Sequence, residues 1–147
     1  MTYQFVEGTV DDIVAVLALV PEFDNSITAT TIAERLAGKS ALILLAKYDT
    51  APIAFKVGYS LNHDEFYSWL GGVAPQHREM KVASQLCQLQ ESWAVAQGFK
   101  TIKVKSMNQF PNMLHMLIAS GYHICGYDNN GATTNSKIAF IKSITQA

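Results

Sequence analysis

Charge is scarce in this sequence, and what there is nearly cancels. Only 16% of the 147 residues are Asp, Glu, Lys or Arg, and the net charge is -1. A chain so close to neutral lacks the electrostatic footprint of a nucleic-acid binder, so no nucleic-acid partner is expected. Cysteine is scarcer still. Cys87 and Cys125 stand far apart and outside any CxxC pair, which argues against a disulfide framework or a zinc ribbon and leaves two ordinary free thiols. His63, His77, His115 and His123 show no ligand spacing such as HExxH, so no metal is expected. Long apolar runs are missing as well. Ala15–Val20 and Ala41–Ala46 fall far short of the roughly 18 residues of a membrane helix, so no membrane partner is expected. Met1-Thr2-Tyr3-Gln4 has neither the basic start nor the apolar stretch of a signal peptide, which makes a cytoplasmic location the default expectation.

What the chain does have is apolar material, 49% of its residues, enough for a hydrophobic core in one domain spanning 1–147. Tyr3 and Phe5 alternate with Gln4 in a first strand, 2–7. Thr9 offers a hydroxyl cap ahead of Asp11 and Asp12, and Ile13, Val16, Leu17 and Val20 follow at helical spacing up to Pro21. Thr31-Ile-Ala-Glu34 has the form of a capping box for a second helix closed by Gly38. Ala41–Tyr48, Ile53–Leu61 and Glu65–Val73 read as three strands separated by turn residues. From His77 to Gln97 the period becomes helical, with Val82, Leu86, Leu89, Trp93 and Ala96 on one face and Gly98 as the stop. Thr101–Ser106 is a fifth strand. Asn108 is placed to cap the next helix, with Phe110, Met113, Leu114, Leu117 and Ile118 as its buried stripe. Tyr122–Tyr127 and Lys137–Ile144 close the pattern. The order βααβββαβαββ predicts an α/β fold with a mixed, mainly antiparallel central sheet flanked by helices.

The segment that points to chemistry runs from Trp69 through Pro75 to Ala94. A strand that feeds a helix N-terminus presents unpaired backbone N–H groups and the positive end of a helix dipole, which suits a pyrophosphate. Here Pro75-Gln-His-Arg-Glu-Met-Lys-Val-Ala-Ser-Gln-Leu86 resembles the GNAT N-acetyltransferase superfamily and its signature Q/R-x-x-G-x-G/A. Arg78 matches the first position and Ala83 the last. Gln-Gly-Phe99 before the fifth strand and Ser-Gly-Tyr122 after the last helix extend the likeness over nearly the whole chain.

The resemblance implies the acyl-CoA N-acyltransferase fold and acetyl-CoA as co-substrate, with direct attack of a primary amine on its thioester. The acceptor is a small molecule or a peptide amine, and a homodimer is compatible with the family. A domain that keeps the fold and binds CoA without catalysis, or regulates, is the alternative. The implied CoA contacts are Gly72, Val73, Arg78, Glu79, Met80, Lys81, Val82, Ala83 and Ser84, with Asn108. Lys81 fills the middle glycine position and Glu79 a second position where glycine is common, so the anion turn departs from the pattern. The tyrosine that serves many members as general acid falls at Leu117. The oxyanion donor maps to the backbone N–H of Gly71, where Gly71-Gly72 suits a bulge. Glu65 and Tyr67 share a face with Trp69 and are the candidates for amine deprotonation, Glu65 directly or through water. Glu22, Asp24 and Asn25 lie in the loop that contributes to the acceptor site in the family. His115 is expected on a solvated face, and Met107, Met113 and Met116 as filler.

Overall fold

The computed structural model describes residues 2–23 and 26–145. Asp24 and Asn25 lie outside the described residues. The elements are β1 (Tyr3–Glu7), α1 (Val10–Leu17), α2 (Ala29–Leu36), β2 (Ala41–Tyr48), β3 (Ala51–Ser60), β4 (Glu65–Val73), α3 (Val82–Ala96), β5 (Thr101–Met107), α4 (Pro111–Ala119), β6 (His123–Asp128) and β7 (Lys137–Ser143), with a 3-10 turn over Pro75–His77. The strands form one sheet in the order β1-β2-β3-β4-β5-β7-β6, in which β4 and β5 are the parallel pair and every other pairing is antiparallel. The mixed sheet flanked by helices is the architecture that the element order predicts.

Each face of the sheet carries its own core. On one side α1, the segment just after it and α2 bury Ile13, Val16, Val20 and Ile32 against Leu45, Phe55 and Val57. On the other, α3 and α4 bury Val82, Leu86, Cys87, Ala94 and Leu117 against Phe66, Ile102, Val104 and Phe140. Because side chains alternate along a strand, Phe55 and Val57 serve the first core while Ala54 and Lys56 face the second. No helix among the described residues is long and apolar enough to cross a membrane.

Local chemistry explains most element ends. Thr9 caps α1 in a full capping box, its hydroxyl accepting from the Asp12 N–H while the Asp12 carboxylate accepts from the Thr9 N–H. The second helix is capped by Thr28 rather than Thr31. The Thr28 hydroxyl accepts the Thr31 N–H, so Thr31 lies inside the first turn and the expected box is displaced by three residues. Asn108 does not cap α4 either. Its amide donates to the Thr133 carbonyl at 3.1 Å, and Phe110 occupies the cap position before Pro111. The buried stripe of α4 is narrower than its pattern suggests, because Ile118 is 56% exposed and only Leu117 is fully buried. On α3 the buried line is Val82, Leu86, Cys87, Gln90 and Ala94, with Leu89 and Trp93 at its flank and Ala96 exposed.

Candidate active site

The site forms where β4 and β5 part. Glu65–Ser68 pair with Thr101–Val104, yet β4 continues to Val73 and β5 to Met107 without further pairing between them. The facing backbone edges beyond Ser68 and Val104 therefore border a fork. Ala74 N–H donates to Ile53 O at 2.8 Å, toward β3. Backbone direction alternates along a strand, so Gly72 also faces β3, whereas the polar groups of Gly71 and Val73 face the fork.

A bulge sets this phase, but at a different place from the one the glycine pair suggests. Val57 pairs with Leu70 and Gly58 with Ser68, so Trp69 is the extra residue on β4. Gly71 sits beyond the bulge, paired with Lys56. Gly58 opposite the bulge has no space for a side chain, since a β-carbon there would lie 2.5 Å from the Tyr67 carbonyl oxygen. Gly71 has room, with nothing nearer than 3.5 Å to such a carbon, and Gly72 packs under Phe23, Phe55 and Val20 at 3.1–3.4 Å.

Beyond Val73 the chain turns into α3, and the helix starts at Val82 instead of His77. Pro75–His77 form the 3-10 turn, and Glu79 and Lys81 then take left-handed conformations, φ 63° and 64°. These are the two positions where the sequence pattern leads one to expect glycine. The backbone keeps the glycine shape with side chains attached, at roughly 1–2 kcal/mol for each residue. Lys81 is the cap residue of α3 and makes no side-chain cap hydrogen bond, so the N–H groups of Val82, Ala83 and Ser84 open the helix without a side-chain partner. Met80 and Lys81 project into solvent.

Arg78 is occupied. Its Nε donates to Val73 O at 3.0 Å, and its two terminal nitrogens donate to the two oxygens of Glu22 at 2.8 Å each. Arg78 thus joins the edge of the fork to the segment after α1, and the pairing holds the Glu22 carboxyl below its usual range.

The residues proposed for acid–base work separate. Glu65 lies six positions before Gly71, roughly 20 Å along the strand, where β4 and β5 are still paired. Its carboxylate accepts from Lys103 at 2.7 Å and from Asn62 at 2.8 Å, which lowers its pKa. Tyr67 is half-buried on the α1–α2 face, edge-on to Tyr59, and burial raises its phenol pKa. Trp69 stands on the same face with the Arg35 guanidinium 4.6 Å above its ring. Asn108 borders the connection between β6 and β7 through Thr133. His115 is exposed, in keeping with a solvated face.

Two features escaped the motif reading. Lys56, buried at 7% exposure, points from the middle of β3 toward α3, and its Nζ lies 3.8 Å from where a β-carbon on Gly71 would be. Burial lowers its ammonium pKa, against the opposing influence of Cys87 and Glu91. The available signal is a lone lysine in the apolar run Ile53-Ala-Phe-Lys-Val57. Nearby, Glu91 on α3 accepts from Lys142 at 2.8 Å, from the Tyr122 hydroxyl at 3.1 Å and from Cys87 at 3.4 Å, tying α3 to β7. Burial raises the pKa of both Cys87 and Tyr122.

A splayed parallel pair in a mixed sheet, with a helix N-terminus at the mouth, is the acyl-CoA N-acyltransferase fold. The chain belongs to the acetyltransferase (GNAT) family, whose sequence description matches residues 12–118. Among solved structures it is similar to Ard1 from Thermoplasma volcanium, at 16% identity and TM-score 0.84 over 99% of this chain and 100% of that one. The ribosomal-protein-S18-alanine N-acetyltransferase from Escherichia coli gives 12% identity and TM-score 0.87, covering 99% and 96%. A GNAT family acetyltransferase from Elizabethkingia anophelis with acetyl-CoA bound gives 16% and 0.74, covering 96% and 97%. No curated protein matches the sequence.

Proposed function

We propose that this chain transfers the acetyl group of acetyl-CoA to a primary amine by direct attack of the amine on the thioester, with the 147 residues working as one domain. The observation that carries the reading is the turn at Glu79–Lys81. A left-handed backbone at two non-glycine residues is kept against its cost directly before an open helix N-terminus, where N–H groups and dipole together suit a pyrophosphate. From there the pantetheine arm runs along the free edge of β4, past Val73 to Gly71, whose N–H is oriented to take the thioester oxygen as charge develops on it. The amine comes from the α1–α2 face, where Tyr67 and Trp69 line the strand.

Deprotonation of the amine is assigned to solvent or to the acceptor face, not to a direct contact with Glu65. An ion-paired carboxylate far from Gly71 is both too remote and too weakly basic. Incubation with acetyl-CoA and a pool of small amines, amino-acid amides and short peptides tests the reading. Thiol release that depends on the amine, with an acetylated product in the mass spectrum, is expected. CoA binding by calorimetry without any amine-dependent release would instead identify a binding or regulatory domain.

A further inference from the structure

We infer that Lys56 is a catalytic residue: its ammonium supplies the proton that the departing CoA thiolate takes up. The inference rests on the transferase reading above. Lys56 pairs with Gly71 across β3 and β4, and its Nζ lies 3.8 Å from where a β-carbon on Gly71 would be, on the α3 side of the strand. A thioester whose oxygen accepts from the Gly71 N–H carries its sulfur one bond angle away, within the sweep of a four-carbon side chain. The surroundings give the ammonium no structural task. No carboxylate lies within ion-pair distance of it among the described residues, and Glu91, the acid on α3 that faces it, is engaged by Lys142, Tyr122 and Cys87. The core here is also unusually polar. Ser68, Gln90 and Ser106 are buried on the elements around the fork, and neither amide atom of Gln90 has a hydrogen-bond partner among the described residues. A cation buried without a counterion is costly, and an apolar side chain of the same length would fill the space better.

The step balances without a further reactant. The neutral amine forms its bond to the carbonyl carbon, and the C–S bond breaks with its electron pair on sulfur. A proton passes from Lys56 to sulfur. The amide nitrogen loses its extra proton to solvent on the opposite face, and Lys56 is recharged from water.

Lys56→Met and Lys56→Arg test this, with acetyl-CoA and the primary amine that gives the fastest thiol release in the wild type. Lys56→Met should lower turnover by about 10²–10⁴-fold, leave CoA affinity within a factor of two, and melt no lower than the wild type. Wild-type turnover should fall as rising pH titrates the Lys56 ammonium, below the usual lysine range, and that fall should vanish in Lys56→Met. Lys56→Arg should stay slow, because a guanidinium brings charge but gives up no proton. Wild-type turnover in Lys56→Met, or recovery in Lys56→Arg, would overturn the proton transfer while the transferase reading stands. If the wild type itself releases no thiol with any amine, both readings fall together.

Discussion

Arg78 and Glu22 meet in a two-pronged ion pair, both contacts 2.8 Å, that crosses 56 positions of sequence. An arginine at the head of an anion-binding turn invites the assumption that it touches phosphate. Here its donors face the protein, so it fixes the turn instead.

The pair has a defined pH signature. The Glu22 pKa is lowered in the folded chain, first by its hydrogen bonds to Arg78. A depressed carboxyl contributes stability above its unfolded pKa, near 4.5, and loses that contribution as pH falls through the folded value. Both side chains are 39% exposed, so screening holds the contribution to about 1 kcal/mol or less. The gap between the melting curves of wild type and Glu22→Gln, present at pH 7, should shrink as pH falls through the lowered Glu22 value. A gap that stays constant throughout the acid titration would show that the carboxylate's charge does not matter.

Lys81→Gly separates fold from ligand. Releasing a left-handed lysine should stabilise the protein by about 0.5–1 kcal/mol, visible as a higher melting temperature. The backbone already holds the shape that glycine permits, so the substitution gains no new approach for a phosphate and forfeits a cation. CoA should bind more weakly to the variant, with a shallower salt dependence. Tighter binding in calorimetry would mean that the lysine side chain obstructs the turn.

Glu65→Gln should leave turnover within about twofold of wild type at neutral pH, against the 10²-fold or larger loss expected of a true general base. The carboxylate is committed to Lys103 and Asn62 at the closed end of the β4–β5 pair. A hundredfold loss across several pH values would return Glu65 to the mechanism.

Much of the architecture is legible in the chain. Glu65–Val73 appears with its predicted bounds, Gly98 and Gly121 stop their helices with φ +92° and +93°, and Thr9 caps α1 as its neighbours suggest. The failures share a cause. Thr28 and Thr31 are equally good capping residues, and only the path of the chain into α2 decides between them. Asn108 is drawn off by Thr133, a partner 25 positions away that no local pattern reveals. The helical period before Val82 hides two left-handed residues, because neither Glu79 nor Lys81 announces that conformation as glycine does. Lys56 is similar. Its neighbours in sequence mark it as buried, but nothing local says that Gly71 lies across from it.

The extra residue at Trp69 changes the parity of its strand. Ahead of it the odd-numbered side chains, Glu65, Tyr67 and Trp69, belong to the α1–α2 face, whereas after it Gly71 and Val73 belong to the α3 face. One strand thereby addresses two chemical neighbourhoods, an aromatic wall on the α1–α2 side and a polar underside that holds Lys56. Deleting Trp69 would therefore leave Leu70 opposite Val57 and Gly71 opposite Lys56, each on its present face, and would remove only the local bend that the bulge puts into β4.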